Sequence, residues 1–128
     1  MGTDREYRSW LQRSIGLMGY KAVNLVYVFV SDEYLLGLNR EYLGHDSFTD
    51  IITFDYVQGM DLSGDIFISV RRVEENAMKF KVTFEMEIRR VMAHGLLHLM
   101  GYGDKTEEQT RLMRIAEEKM MKLFHVEQ

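Results

Sequence analysis

The stretch His94-Gly95-Leu96-Leu97-His98-Leu99-Met100-Gly101-Tyr102-Gly103-Asp104 closes a long helical pattern and decides how the fold is interpreted. Four residues of helix turn about 40° past a full turn and rise about 6 Å, so His94 and His98 project from one face. Gly101 is the residue type best suited to the left-handed conformation that ends a helix. The chain can then turn back and bring Asp104 beneath both imidazoles.

Two imidazoles and one carboxylate with an open position are typical of a catalytic zinc site rather than a structural one. The spacing also repeats the ligand spacing of metzincin-type sites. We therefore predict a metal-dependent hydrolase with His94, His98 and Asp104 as ligands. One Zn²⁺ per chain suits this set, although the carboxylate leaves Mn²⁺ or another divalent ion open.

Each of these residues also has a plainer interpretation. The histidines can be a helix-surface pair without a ligand, because this spacing occurs by chance. Asp104 can be a polar loop residue ahead of the last helix, which has its own cap in Thr106, with Gln109 completing a capping box. Of the other histidines, His45 lies in a predicted loop and His125 lies near the end of the sequence, so neither is assigned to the metal.

Composition limits the other functions. The sequence has 128 residues, a hydrophobic share of 46% and a charged share of 28%, which are typical of one globular domain. It has no cysteine, which excludes disulfides and thiolate metal sites and fits a reducing cytoplasm. No signal peptide and no apolar run of about 20 residues is visible. A net charge of −4 argues against a broad nonspecific grip on nucleic acid.

Hydrophobic periodicity predicts a small α/β (α+β) domain, a short mixed sheet packed by about five helices with the metal site at the end of a central helix. The predicted helices are 4–18, 31–43, 70–79, the central helix capped by Thr83, and 106–124; the predicted strands are 22–30, 49–57 and 65–70. Strand 22–30 is so apolar that we expect it to be central and buried. Residues 58–64 suit a hairpin that makes the last two strands antiparallel. In the last helix, Leu112, Ile115, Ala116 and Leu123 are the predicted inward positions.

Three segments together resemble the YbeY family of bacterial zinc-dependent endoribonucleases. They are the histidine stretch 94–104, the run 38–42 (LNREY) leading to 49–54 (TDIITF), and 64–68 (GDIFI). The resemblance covers about residues 22–124, so that 1–128 is interpreted as a single YbeY-like metallohydrolase domain. It implies cleavage of single-stranded RNA, maturation of the 3′ end of 16S rRNA, ribosome quality control, ribosomal partners and a cytoplasmic location.

The resemblance also implies roles for single residues. His94 and Arg40 are assigned to catalysis, and Thr49 and Asp50 to substrate binding. Asp104 stands where the family usually has a third histidine ligand. Leu43 stands at the position of an arginine implicated in catalysis, so Arg40, one helical turn earlier, is the expected replacement.

The family also usually begins with an extra strand before its first helix, which this sequence starts too late to include. We therefore expect one sheet edge to be exposed.

Two alternatives remain. A ribosome-binding or assembly factor with a mainly structural metal is favoured by the missing arginine and by the acidic net charge. A metzincin-like peptidase is less favoured, because such enzymes place a general-base glutamate directly after the first histidine, where this sequence has Gly95.

Overall fold

Residues 3–124 are described by a computed structural model, in which five helices and three strands form one domain. The elements are α1 (Asp4–Leu17), β1 (Lys21–Val30), α2 (Asp32–Leu43), β2 (Ile51–Asp55), β3 (Asp61–Ser69), α3 (Val70–Phe80), α4 (Phe84–Leu99) and α5 (Glu107–Leu123). This confirms the predicted fold class. No helix within residues 3–124 is both long enough and apolar enough to cross a bilayer.

The sheet has the order β1-β3-β2, with β1 parallel and β2 antiparallel to β3. The hairpin between β2 and β3 is confirmed, but its turn is shorter than predicted. Gln58 bridges to Asp61, and Gly59 adopts a φ of 59°. A two-residue turn with positive φ matches the twist of the flanking strands, so β3 begins at Asp61 rather than at residue 65.

The prediction that the first strand is central was wrong. β1 lies at the edge, and Val23 and Phe29 are 59% and 45% exposed. Leu25 and Tyr27 still pack against the core, and the Tyr27 hydroxyl donates to the Met92 carbonyl at 2.9 Å. An apolar run shows that a strand has hydrophobic side chains but not whether it pairs with a neighbouring strand along both of its edges.

The core lies between the sheet and α4, and α1, α3 and α5 pack around α4 or around one another. Its fully buried apolar side chains include Trp10, Leu62, Ile66, Ile68, Val73, Ile88, Leu96, Leu97, Met113 and Met120. The indole Nε1 of Trp10 donates to the Met120 carbonyl at 2.7 Å, which fastens α1 to α5. This packing places the C-terminal half of α4 between the sheet and α5.

The inward face of α5 differs from the prediction. Leu112 and Ile115 are 45% and 51% exposed, whereas the buried residues of this helix are Met113, Ala116, Glu117 and Met120. The helix is therefore rotated so that a carboxylate faces α4. Helical periodicity favoured the most apolar stripe, but the contacts of a buried acid can outweigh it.

Helix starts were predicted more accurately than helix faces. Ser31, Thr83 and Thr106 each accept a backbone N–H as N-caps, and Gln109 completes the predicted capping box. The first helix, predicted to begin at residue 4, is capped by Thr3. Such caps depend on contacts within one turn, so the local sequence shows them.

Candidate metal centre

The end of α4 is built as the sequence predicts. Met100 is the C-cap and Gly101 follows with a φ of 97°. The N–H of Gly101 donates to His98 O and the N–H of Tyr102 to Leu97 O, each at 3.0 Å, which closes the helix end in a Schellman-like turn. Glycine reaches this conformation without strain, and the reversed chain leads directly to Asp104.

Three ligand atoms converge at this helix end. His98 Nε2 lies 3.0 Å from His94 Nε2 and 3.2 Å from Asp104 Oδ2, and His94 Nε2 lies 3.3 Å from the same oxygen. Within residues 3–124, these are the histidine and acidic side chains whose ligand atoms lie close enough together to hold one metal ion. Ligands about 2.0–2.2 Å from a tetrahedral ion are about 3.3 Å apart, so the triangle fits one divalent cation and leaves a position open.

The other ring nitrogen of His94 is engaged. Nδ1 lies 2.7 Å from Glu117 Oε2, and because a carboxylate can only accept, Nδ1 carries the proton and Nε2 presents its lone pair. Arg90 joins the same cluster: it forms two hydrogen bonds to Glu87, at 3.0 and 2.7 Å, and lies 3.5 Å from Glu117 Oε1. The carboxylates beside Arg90 raise the pKa of its guanidinium further.

These supporting residues were largely missed from the sequence. Glu117 lies on a different helix, so no spacing links it to His94. Arg90 lies one turn before His94 on α4, and Glu87 lies one turn earlier on the same face. Charged residues repeating every three to four positions on an otherwise apolar face are the signal that could have revealed Glu87.

The predicted substrate residues precede β2. Thr49 Oγ1 donates to Ile51 O at 3.4 Å, and Asp50 Oδ2 accepts from Asn76 Nδ2 at 3.2 Å. Burial raises the pKa of Asp50 above its usual value, and the neighbouring Arg90 and His94 offset this rise only in part. Asp50 therefore lies within electrostatic range of the histidine cluster.

Arg40, the predicted catalytic cation, lies in the last turn of α2. Its exposed side chain pairs with Asp46 in the loop after α2, and no hydrogen bond or ion pair within residues 3–124 joins it to the histidines. Leu43, for which the sequence resemblance predicted an arginine position, is 48% exposed. His45 is exposed in the same loop, and His125 lies outside the described residues.

Gly95 has a packing role that bears on the peptidase alternative. A β-carbon built on it would lie 2.7 Å from Ile51 Cδ1 and 3.0 Å from Ile66 Cγ2. This position of α4 faces the sheet, so a glutamate there would enter the core rather than reach the ligand cluster. The general base of a metzincin site therefore has no room after His94.

Comparison with known proteins identifies the family. The model of the family Endoribonuclease YbeY matches residues 3–125. An Endoribonuclease YbeY of Flavobacterium johnsoniae is 47% identical over 100% of this chain and 92% of its own length, and one of Christiangramia forsetii is 45% identical over 100% and 90%. A Thermotoga maritima protein solved in solution has a TM-score of 0.72 at 28% identity, covering 97% of this chain and 85% of that one. The chain therefore belongs to the endoribonuclease YbeY family.

Proposed function

We propose that the chain is a zinc-dependent endoribonuclease that cleaves single-stranded RNA at the cluster of His94, His98 and Asp104. The observation that carries this proposal is the triangle of ligand atoms, 3.0 to 3.3 Å apart, in a chain of this family. A divalent ion at this position would supply an activated water near neutral pH and would polarise a phosphoryl oxygen.

The protein side chains then position the substrate. Thr49 and Asp50 are proposed to contact it, because their segment leads into β2 and the Asp50 carboxyl lies in electrostatic range of His94. Arg40 is proposed to stabilise the charge that develops on the phosphate. Its ion pair with Asp46 is exposed, and such pairs contribute only about 0–1 kcal/mol, so exchanging Asp46 for a phosphate costs little.

The biological substrate is proposed to be ribosomal RNA, with maturation of the 3′ end of 16S rRNA and ribosome quality control as the processes. Ribosomal proteins are then the expected partners, and the cytoplasm is the expected location. Family membership supports this assignment over an assembly factor with a structural metal. The packing of Gly95 against the sheet also disfavours the metzincin-like peptidase.

The test compares cleavage of one labelled oligoribonucleotide as a single strand and as a duplex, with and without added Zn²⁺. The variants are His98→Ala and, as a matched control, His45→Ala in the exposed loop. We expect the wild type and the control to cleave the single strand and His98→Ala to lose cleavage. Full zinc-stimulated cleavage by His98→Ala would overturn the proposed site.

A further inference from the structure

Behind the ligand cluster lies a buried set of charges that a metal site does not by itself require. Glu87 and Glu117 are only 2% and 4% exposed, and Arg90 lies between them. Burying two carboxylates with one guanidinium leaves an excess negative charge in the interior. Such a charge is unfavourable unless a partner donates a hydrogen bond to it. The partner in contact with it is the imidazole of His94, through Nδ1.

The two oxygens of Glu117 have separate partners. Oε2 lies 2.7 Å from His94 Nδ1, and Oε1 lies 3.5 Å from a terminal nitrogen of Arg90. Arg90 is itself held by two hydrogen bonds to Glu87, one turn earlier on α4. One oxygen of the Glu117 carboxylate therefore contacts His94 closely, and the other faces the guanidinium of Arg90.

This arrangement determines which nitrogen of His94 can act as a ligand. An imidazole free in solution exchanges between two neutral tautomers. A carboxylate at Nδ1 retains the proton there and leaves the lone pair on Nε2. The lone pair of His94 Nε2 then faces His98 Nε2 and Asp104 Oδ2.

We propose that Glu117, which is paired with Arg90, is the positioning residue for His94. It determines the tautomer and the orientation of the imidazole and thereby raises the metal affinity of the cluster of His94, His98 and Asp104. The inference rests on the proposed function only in that the cluster binds a metal. Glu117 acts through His94 and is not assigned a contact with substrate.

The test measures zinc affinity by competition with a chromophoric chelator for Glu117→Gln and Glu117→Ala. Glu118→Gln is the matched control, because Glu118 is the next residue of α5 and its side chain is exposed. Loss of such a supporting carboxylate lowers metal affinity roughly 10- to 100-fold. We expect this loss for Glu117→Ala, a smaller one for Glu117→Gln, whose amide oxygen still accepts from Nδ1, and none for the control.

A second readout follows the tautomer directly. In ¹⁵N spectra of the metal-free protein, we expect the wild type to show His94 protonated at Nδ1 and Glu117→Ala to show a mixture of tautomers. A merely structural role for Glu117 would change stability without moving this signal. If the alanine variant does not fold, as shown by circular dichroism, the nearly isosteric glutamine variant decides the affinity comparison.

The outcomes separate the two proposals. If the wild type binds zinc but both Glu117 variants bind it equally tightly with an unchanged tautomer, the positioning role is wrong and the metal site stands. If the wild type binds no zinc, or His98→Ala binds as tightly as the wild type, the proposed metal site itself is wrong, whatever the Glu117 variants do.

Discussion

Gly95 lies so close to Ile51 that a β-carbon on the glycine would come within 2.7 Å of the isoleucine Cδ1. The missing side chain at Gly95 therefore leaves room for Ile51 and Ile66 where α4 faces the sheet, directly after His94. A residue between two predicted ligands therefore serves packing rather than proton transfer.

Gly95→Ala is expected to destabilise the protein by about 1–2 kcal/mol, because the cost of displacing the Ile51 and Ile66 side chains, about 1–3 kcal/mol, exceeds the gain in helix propensity of about 0.5–1 kcal/mol. Gly37→Ala is the matched control: that glycine is also inside a helix, but a β-carbon added to it would meet open space, with no neighbouring side chain within 4 Å. We expect the control to gain about 0.5–1 kcal/mol from its better helix propensity. Urea unfolding measures both, and a stabilised Gly95→Ala variant would contradict the packing role.

We expect the wild type to co-purify with about one zinc per chain and Asp104→Ala to lose most of it, because two imidazoles alone would leave the ion without a third protein ligand. Asp104→His should retain zinc, since an imidazole nitrogen is also a common zinc ligand. Metal content of protein purified without added metal measures this, with the exposed Glu107→Ala as control. Equal zinc in the wild type and Asp104→Ala would remove Asp104 from the ligand set.

Trp10→Phe is expected to lower the free energy of unfolding by about 1–3 kcal/mol, because the Met120 carbonyl loses its buried donor. Leu17→Ala, on the same helix but 67% exposed, should change stability by less than about 0.5 kcal/mol. Circular dichroism is the appropriate probe, since the variant removes the single tryptophan of the sequence. Equal midpoints for the two variants would show that the indole does not fasten α1 to α5.

The buried carboxylate of Asp32 predicts a pH-dependent contribution to stability. Its hydrogen bonds from Arg72 and then from Ser69 lower its pKa below the usual value. Because the pKa is lower in the folded state, the stabilisation is complete above the unfolded pKa of about 3.9 and is lost as the pH falls through the folded pKa.

We therefore expect Asp32→Asn to be less stable than the wild type at pH 7 and the difference to shrink below about pH 4. Urea unfolding at several pH values tests this, with Glu33→Gln on the exposed side of α2 as the control for removing a charge. A difference that stays constant down to about pH 2 would exclude the ion pair as its cause.

The local sequence of this protein was sufficient for features set by contacts within one or two turns. The caps at Ser31, Thr83 and Thr106, the glycine that ends α4, and the shared face of His94 and His98 all depend on neighbours a few residues away. The sequence therefore predicted that His94, His98 and Asp104 lie together, because the helix end and the reversal after Gly101 bring them to one place.

Tertiary structure alone decided which edge of the sheet is open and which face of α5 is buried. β1 is as apolar as a central strand, yet β3 occupies the centre of the sheet, paired with β1 on one side and β2 on the other. Likewise the apolar Leu112 and Ile115 face outward while Glu117 is buried against His94. The physical reason is that hydrophobic periodicity records the affinity of each side chain for an apolar environment, whereas pairing of strands and of buried charges depends on partners distant in the chain.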